Sequence, residues 1–181
     1  MTGRPEPATT WGAGDYPLMA ERLEPAAAAA VDLAQVGSHD RVLDVACGTG
    51  NGAVLASRRG ARVTGVDLEP ALLEVARRRA PEVEWLCADA AALPAGDGAH
   101  GLRLETLSRA TLELAFADVA EARRFLVRTA GHVLAAEPHL RREGRWEALQ
   151  ADLEALIAAR ARPAGDGIAL ELGYVLARAR A

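Results

Sequence analysis

One stretch constrains the fold of this chain more than any other: residues 41–52, Arg-Val-Leu-Asp-Val-Ala-Cys-Gly-Thr-Gly-Asn-Gly. Its apolar first half predicts a short buried strand of the kind found in parallel sheets. Three glycines at alternate positions follow, and then an alanine-rich segment with a helical pattern. A strand, a glycine turn and a helix bring main chain close to a ligand, because glycine tolerates positive φ and carries no Cβ. The stretch therefore predicts an α/β fold with a nucleotide-like ligand at this turn.

Asp44 indicates which kind of nucleotide ligand the turn favours. A dinucleotide needs helix N–H groups that face its pyrophosphate, and a carboxylate beside them would repel it. The same carboxylate would attract a cationic ligand. S-adenosylmethionine is such a ligand, because it carries a sulfonium and an ammonium group and no phosphate. The chain also lacks the six-residue Gly-x-Gly-x-x-Gly pattern at this turn. A nicotinamide-dependent dehydrogenase is therefore the weakest of the alternatives.

Residues 42–50 resemble the first motif of the class I S-adenosylmethionine-dependent methyltransferases, with the ubiquinone/menaquinone-biosynthesis group the most similar. The resemblance implies a Rossmann-like sheet with helices on both faces and S-adenosylmethionine as the cofactor. It also implies which residues of this stretch lie at the cofactor: Asp44, Ala46, Gly48, Thr49 and Gly50.

Two later strand ends extend the pattern. The second predicted strand ends at Asp67, where a carboxylate can accept hydrogen bonds from both hydroxyls of a ribose. Leu68 beside it offers an apolar surface to adenine. The third predicted strand is followed by Asp89 and Ala90, and the resemblance implies that Asp89 accepts a hydrogen bond from the adenine amino group. Acidic residues at three successive strand ends favour a ligand site over chance placement.

An aromatic segment precedes the first predicted helix. Trp11 and Tyr16 flank the sequence Gly-Ala-Gly-Asp. Many members of the family carry a similar segment that folds over the cofactor. The alternative is that both rings only attach the helix to the core, and the sequence leaves the two interpretations open.

The resemblance breaks in the middle of the chain. Relatives continue from the third strand into a fourth strand, a helix and a fifth strand, whereas here residues 97–101 lead directly toward a segment that resembles their sixth strand. Relative to a domain of roughly 250 residues, on the order of 80 to 100 are missing. The prediction is a shortened sheet of about five strands whose first strand has an open edge. A homodimer that pairs two such edges would cover it.

The remaining expectations concern organisation and environment. We expect a disordered segment at 1–10 and one domain at 11–181, with a cofactor-binding half at 11–97 and a strand-helix-helix-strand part at 98–181. A formal net charge of −4 argues against a nucleic-acid footprint. No stretch approaches the ~20 apolar residues of a membrane span, and the use of two cysteines fits a reduced, cytoplasmic compartment.

The sequence indicates no catalytic residue and no metal site. Methyl transfer mainly requires placement of the acceptor, because the sulfonium is already activated. Cys47 and Cys87 have no accompanying histidine motif, and His100, His132 and His139 are isolated residues typical of surfaces. Two functions stay open. One is an S-adenosylmethionine-dependent methyltransferase acting on a small molecule, and the other is an inactive relative that serves as a cofactor-binding or subunit-interaction module.

Overall fold

A computed structural model of the chain describes residues 10–89 and 103–180, which form two three-stranded sheets with helices packed against them. The parallel sheet consists of β1 (Arg41–Val45), β2 (Arg62–Asp67) and β3 (Glu84–Cys87). The antiparallel sheet consists of β4 (Arg103–Phe116), β5 (Arg162–Ala164) and β6 (Gly167–Arg180). A short 3₁₀ helix (Trp11–Ala13) precedes α1 (Tyr16–Leu33), α2 (Asn51–Arg58), α3 (Pro70–Arg79), α4 (Val119–Thr129), α5 (Gly131–Arg142) and α6 (Trp146–Arg160).

The parallel sheet has the strand order β1-β2-β3, with α2 and α3 as the two crossover helices. Both helices pack on the same face, which we call the inner face. Their apolar side chains and those of the strands form one buried cluster: Ala53, Val54, Ala56, Val63, Leu73, Ala76, Ala80, Val83 and Trp85. Burial of these side chains holds the two strand-helix-strand units together.

The opposite, outer face of this sheet is exposed along β1. Side chains alternate along a strand, so Arg41, Leu43 and Val45 point away from α2 and are exposed. Among the described residues β1 pairs only with β2, in parallel and in register from Arg41 opposite Arg62. Its other edge is therefore open, as the sequence predicts.

The antiparallel sheet is dominated by one long ribbon. β4 and β6 pair from Arg103 opposite Arg180 to Phe116 opposite Ile168, with a bulge between Leu104 and Thr106. One face of its base packs against α1, α4 and α6. This second core is formed by Leu114, Phe116, Ala122, Phe125 and Ile157.

α1 connects the two sheets. Its Leu18 and Met19 pack against the second core, whereas its Ala20 carbonyl accepts a hydrogen bond of 2.6 Å from the Asn51 side chain at the start of α2. At its other end the Leu33 carbonyl accepts a hydrogen bond from Arg178 of the ribbon. The position of α1 thus fixes both sheets relative to each other.

The predicted α/β class is confirmed, and two details differ from the expectation. The strands are divided between two sheets instead of one sheet of about five, and α2 and α3 cover one face of the parallel sheet. β4 and β6 pair with each other over almost their whole length, and among the described residues neither pairs with a strand of the parallel sheet. The predicted junction at 97–101 lies outside the described residues. Within the described ranges, no helix has the length and apolar character needed to cross a membrane.

Candidate ligand-binding site

A cavity of about 440 Å³ opens at the carboxyl ends of the parallel strands, beside the 3₁₀ helix and the start of α1. This volume is within the range of small-molecule sites. The carboxyl ends of the parallel strands are also where α/β folds bind ligands. The lining residues are Trp11, Tyr16, Ala46, Gly48, Val66, Asp67, Leu68, Glu69, Leu72, Ala88 and Asp89.

The glycine turn brings main chain to the wall of this cavity. Gly48 has φ +55° and Gly50, which caps α2, has φ +85°, a region that favours glycine. A Cβ on Gly48 would lie 3.3 Å from the Tyr16 ring, and one on Gly50 would lie 2.5 Å from the Trp85 ring. Ala46 also has a positive φ of 58°. The main chain of the turn therefore lies close to the rings of Tyr16 and Trp85, and both its backbone conformation and these contacts favour residues without a large side chain.

Asp67 holds the turn against the end of β2. Its Oδ2 accepts a hydrogen bond of 2.7 Å from the Gly48 amide, and its Oδ1 accepts one of 2.8 Å from the Glu69 amide. A carboxylate offers about four acceptor positions, so each oxygen can accept a second hydrogen bond from a ligand in the cavity. Asp67 thus combines a structural role with the ability to bind hydroxyl groups.

Asp44 lies beneath the turn and outside the cavity wall. Its Oδ2 accepts a hydrogen bond of 2.7 Å from the Ala53 amide in the first turn of α2. Burial raises the pKa of Asp44, the Ala53 amide opposes this shift, and the charge of Asp67 adds to it. The Asp44 side chain therefore positions the start of α2, and it acts on a ligand in the cavity electrostatically, without direct contact.

A chain of hydrogen bonds anchors the far side of the turn. Arg79, at the end of α3, donates to the Thr49 carbonyl at 2.8 Å and to Asn51 Oδ1 at 2.7 Å. Asn51 in turn donates to the Ala20 carbonyl of α1. Three helices are thereby tied to the glycine turn. The neighbouring Cys47 is buried, and burial together with the nearby carboxylates raises the pKa of its thiol to about 12.

The aromatic segment forms one wall of the cavity. Trp11 meets Tyr16 edge to face, with ring centroids 6.2 Å apart. The Asp15 amide donates to the Arg128 carbonyl at 2.9 Å, and the two side chains form an ion pair that holds the segment on α4. Burial, and secondarily the charge of Asp67, raises the pKa of Tyr16, so its hydroxyl is a neutral hydrogen-bond donor at neutral pH. Both rings line the cavity, and whether the segment folds over a cofactor stays a prediction.

The structure separates the predicted site residues into two groups. Five of them line the cavity, namely Ala46, Gly48, Asp67, Leu68 and Asp89. Asp44, Thr49 and Gly50 instead form the layer beneath the turn. Ala90 lies outside the described residues. That any of these residues contacts a cofactor stays a prediction.

Four lining residues were not predicted from the sequence: Val66, Glu69, Leu72 and Ala88. Val66 and Ala88 are direct neighbours of predicted positions in the sequence, so strand ends alone could have indicated them. Glu69 and Leu72 reach the cavity because α3 begins immediately after β2. In the described parts of the chain, no cluster of three or more His, Cys, Asp or Glu side chains could hold a metal ion.

Comparison with known proteins relates the sequence of this chain to a family. Residues 42–128 match the family model described as a methyltransferase domain. An uncharacterised protein of Mycobacterium tuberculosis is 42% identical over 113 residues, which cover 58% of this chain and 41% of that protein. A demethylmenaquinone methyltransferase of Thermus thermophilus is 49% identical over 76 residues, covering 39% and 34% of the two chains.

The chain is a relative of the class I methyltransferases. The predicted resemblance is thereby confirmed over residues 42–128, and S-adenosylmethionine is the cofactor that such methyltransferases use. This methyltransferase relative spans about two fifths of the length of the curated proteins that it matches. A solved TehB-like SAM-dependent methyltransferase from Corynebacterium glutamicum is 30% identical, with a TM-score of 0.36 over 41% of this chain and 44% of that one. Because this TM-score is low, the family assignment rests on the sequence matches alone.

Proposed function

We propose that this methyltransferase relative binds S-adenosylmethionine in the cavity beside Asp67 and transfers its methyl group to a small-molecule acceptor. One observation carries the proposal: the charged residues among the described lining are all acidic, namely Asp67, Glu69 and Asp89. Such a lining attracts a sulfonium and an ammonium group and repels a pyrophosphate. It therefore favours this cofactor over a dinucleotide.

The lining residues suggest how an adenosine group would be held. Asp67 has acceptor capacity left for the two ribose hydroxyls, and the Gly48 main chain lies directly beside it. Leu68 and Leu72 offer apolar surface to a flat base. Asp89 lies at the end of β3, where it would accept a hydrogen bond from an amino group of that base.

The protein's contribution to the reaction would be placement and exclusion of water. When bound, S-adenosylmethionine supplies an electrophilic methyl group on a positively charged sulfur. Trp11 and Tyr16 shield the cavity from one side, and the neutral Tyr16 hydroxyl can donate a hydrogen bond to a ligand. No side chain is assigned as a general base, because one is required only when the acceptor must lose a proton.

The alternative is an inactive relative that binds the cofactor or a partner subunit. The exposed outer face and open edge of the parallel sheet favour this second function, since a parallel sheet is usually covered on both faces. The two functions share the cofactor cavity and differ only in whether methyl transfer follows binding. An acceptor search that detects S-adenosylhomocysteine formation above background supports the enzyme, and its failure with a folded, cofactor-binding chain supports the module.

Calorimetric titration with S-adenosylmethionine, S-adenosylhomocysteine and NADH tests the cofactor proposal. We expect binding of the first two at micromolar concentration and none of NADH. Asp67→Ala should weaken binding at least tenfold, because hydrogen bonds to a charged group contribute ~1.5–3 kcal/mol each. Asp152→Ala, an exposed carboxylate on α6, is the matched control. Unchanged affinity in Asp67→Ala, with a native circular dichroism spectrum, would contradict the assignment.

The acceptor class, the partners, the cellular location and the oligomeric state are also proposals. We expect a small-molecule acceptor, no nucleic-acid or membrane partner and a cytoplasmic location, based on the near-balanced charge and the small number of cysteines. We further propose a homodimer, since the open edge of β1 and the exposed outer face both offer surface to a second copy. Fractionation and light scattering would test these expectations.

A further inference from the structure

We propose that the cavity beside Asp67 is selective for the charged form of the cofactor, and that Asp44 contributes to this selectivity without touching the ligand. S-adenosylmethionine carries a positive charge on its sulfur, whereas the sulfur of S-adenosylhomocysteine, the product of methyl transfer, is neutral. The carboxylates of Asp44 and Asp67 attract the first sulfur and not the second. This inference rests on the proposed binding of the cofactor in the cavity, and it adds which of the two forms the site retains.

The two carboxylates are bonded only to neutral groups. Asp67 accepts hydrogen bonds from the amides of Gly48 and Glu69, and Asp44 accepts one from the Ala53 amide. Within the part of the chain that the structure describes, neither carboxylate forms an ion pair with a basic side chain. Hydrogen bonds from amides leave the net charge of a carboxylate in place. Both residues therefore contribute negative charge beside the glycine turn.

This arrangement contrasts with the rest of a chain that contains 21 basic residues, all of them arginine. Carboxylates elsewhere use these arginines, as Asp15 does with Arg128. Arg79 lies at the glycine turn, but its guanidinium donates to the Thr49 carbonyl and to Asn51 instead of to a carboxylate. Among the described residues, the two acids at the turn thus have no cationic partner, and a cationic ligand would supply one.

The charge of Asp44 extends to the cavity wall although its side chain lies beneath the turn. Burial, together with the charges of Asp44 and Asp67, raises the pKa of the Cys47 thiol to about 12. Cys47 lies between Ala46 and Gly48, which both line the cavity. The two carboxylates therefore act on the same segment of main chain that faces a ligand, and both would stabilise a positive charge there.

The cavity is small enough that the exact position of the sulfur within it matters little. A sphere of 440 Å³ is about 9 Å across, close to the Debye length of ~8–10 Å at ionic strengths of 0.1–0.15 M. Since Asp67 lines the cavity, a sulfonium at any point inside lies within about one Debye length of its carboxylate. Salt therefore screens the attraction only in part, and exclusion of water by the ligand strengthens it.

The negative charge of Asp44 costs the folded chain stability. Burial is the main cause that raises the pKa of this carboxyl, which means that its ionised form is less stable in the fold than in water. An asparagine could accept the same hydrogen bond from the Ala53 amide without this cost. The hydrogen bond alone therefore does not account for a carboxylate at this position, whereas a cationic ligand does.

Methyl transfer removes the charge that the two carboxylates attract. The methyl group moves from the sulfonium to a nucleophilic atom of the acceptor, and the sulfur keeps the electron pair of the broken bond. An acceptor that carries a proton on this atom releases it to water. The sulfonium thereby becomes a neutral thioether, so its attraction to Asp44 and Asp67 ends when the product forms. The site would retain unreacted cofactor and release S-adenosylhomocysteine, which limits inhibition by the product.

Calorimetric titration of the full chain with the two forms of the cofactor tests this selectivity. We expect the wild type to bind S-adenosylmethionine at least fivefold more tightly than S-adenosylhomocysteine. Asp44→Asn should weaken binding of S-adenosylmethionine about fivefold, the order expected for a unit charge ~10 Å away in a medium of intermediate polarity. It should change binding of S-adenosylhomocysteine less than twofold. Asp152→Asn, at an exposed position of α6, is the control and should change neither affinity.

Sinefungin separates the effect of charge from that of shape, because it carries an ammonium group in place of the methylated sulfonium. We expect its affinity to fall in Asp44→Asn as that of S-adenosylmethionine does. An equal loss for all three ligands would show that Asp44 acts only by shaping the turn. Unchanged affinity for both cationic ligands would show that its charge does not reach them. Either result would overturn the role of Asp44.

The wild type alone tests the selectivity without any variant. If it binds both forms equally, or the product more tightly, the selectivity is wrong and the cofactor site itself is unaffected. If neither form binds to a chain that circular dichroism shows to be folded, the proposed function is contradicted and this inference with it. The two failures are therefore distinguishable in one pair of titrations.

Discussion

The indole ring of Trp85 lies directly against the backbone of Gly65 on the neighbouring strand. A Cβ on Gly65 would be 2.4 Å from Trp85 Cε3, and one on Gly50 would be 2.5 Å from Cη2 of the same ring. The ring is held in place by a hydrogen bond of 2.9 Å from its Nε1 to the Ala80 carbonyl. Trp85 therefore fills the space under the glycine turn, and the turn can approach β2 only because neither glycine has a side chain.

Gly65→Ala is expected to destabilise the chain by about 1–3 kcal/mol, the usual effect of overpacking a core. Urea unfolding followed by circular dichroism measures this free energy. In a Trp85→Leu background the smaller side chain leaves space for the added methyl group, so Gly65→Ala should destabilise the chain less. The difference between the two losses of unfolding free energy is the coupling energy between positions 65 and 85. Gly173→Ala on β6, where a Cβ meets nothing within 4 Å, is the control and should be neutral or stabilising. Equal penalties in both backgrounds would contradict the packing argument.

Asp44→Asn should stabilise the fold at neutral pH. Burial raises the pKa of Asp44 above its unfolded value, so the folded chain holds the proton more tightly than the unfolded chain. The wild type therefore loses stability as pH rises from the unfolded pKa to the folded pKa, and the loss persists above that window. The asparagine cannot ionise, and its amide oxygen can still accept from the Ala53 amide.

Urea unfolding at a series of pH values tests this prediction. The stability gain of Asp44→Asn over the wild type should be small in acid, grow across the window and then level off. Asp152→Asn, at an exposed position, should show no such profile. A gain that is largest in acid would mean that Asp44 is stabilised as a carboxylate in the folded state.

The two cysteines should differ sharply in reactivity. Cys47 is buried with a thiol pKa of about 12, whereas Cys87 is exposed at the end of β3. Because the thiolate is the reactive form, a thiol reagent at pH 8 should modify one cysteine in the native protein and two in denaturant. Cys87→Ser should abolish the native reaction. Rapid labelling of Cys47 in the folded Cys87→Ser variant would show that the glycine turn opens.

Arg79→Met should weaken cofactor binding about fivefold to tenfold, since it removes hydrogen bonds of ~1 kcal/mol to the glycine turn. Arg79 contacts the turn through the Thr49 carbonyl and Asn51, so its effect on a ligand would be through positioning. Arg78→Met, at the neighbouring position of the same helix, is the matched control because it removes the same positive charge. Calorimetry with S-adenosylhomocysteine measures both. Equal losses in the two variants would point to a general charge effect.

The local elements of the fold could be read from the sequence. The sequence pattern predicts a helix over residues 70–79, which agrees with α3, because Pro70 begins it, the Glu69 side chain caps it and arginines end it. The sequence also predicts a helix capped by Asp118, and α4 begins directly after this residue, whose side chain accepts a hydrogen bond from the Glu121 amide. Caps and breakers act within one turn of chain, so sequence patterns report them well.

The arrangement of the sheets could not be read in this way. The sequence predicts a break or a first helical turn at Pro25, yet α1 continues through this residue, and α5 likewise contains Pro138. The pairing of β4 with β6 joins distant parts of the sequence, and no local pattern specifies it. In the site, the places of Asp67 and Asp89 at the ends of strands predict that they line the cavity. The positions of Asp44 and Thr49 beneath the turn depend on packing, which the sequence pattern does not report.

The two sheets also imply an order of assembly during synthesis. Strands of the parallel sheet pair residues about twenty positions apart in the chain, whereas the ribbon joins residues separated by more than fifty. Short separations close faster, and synthesis proceeds from the amino end. The half that contains the cavity can therefore form while the ribosome is still making α6, and the ribbon closes only when β6 has emerged. Until then β4 is an unpaired strand, so the interval between the synthesis of β4 and that of β6 is the period when its main-chain groups are open to pairing with other chains.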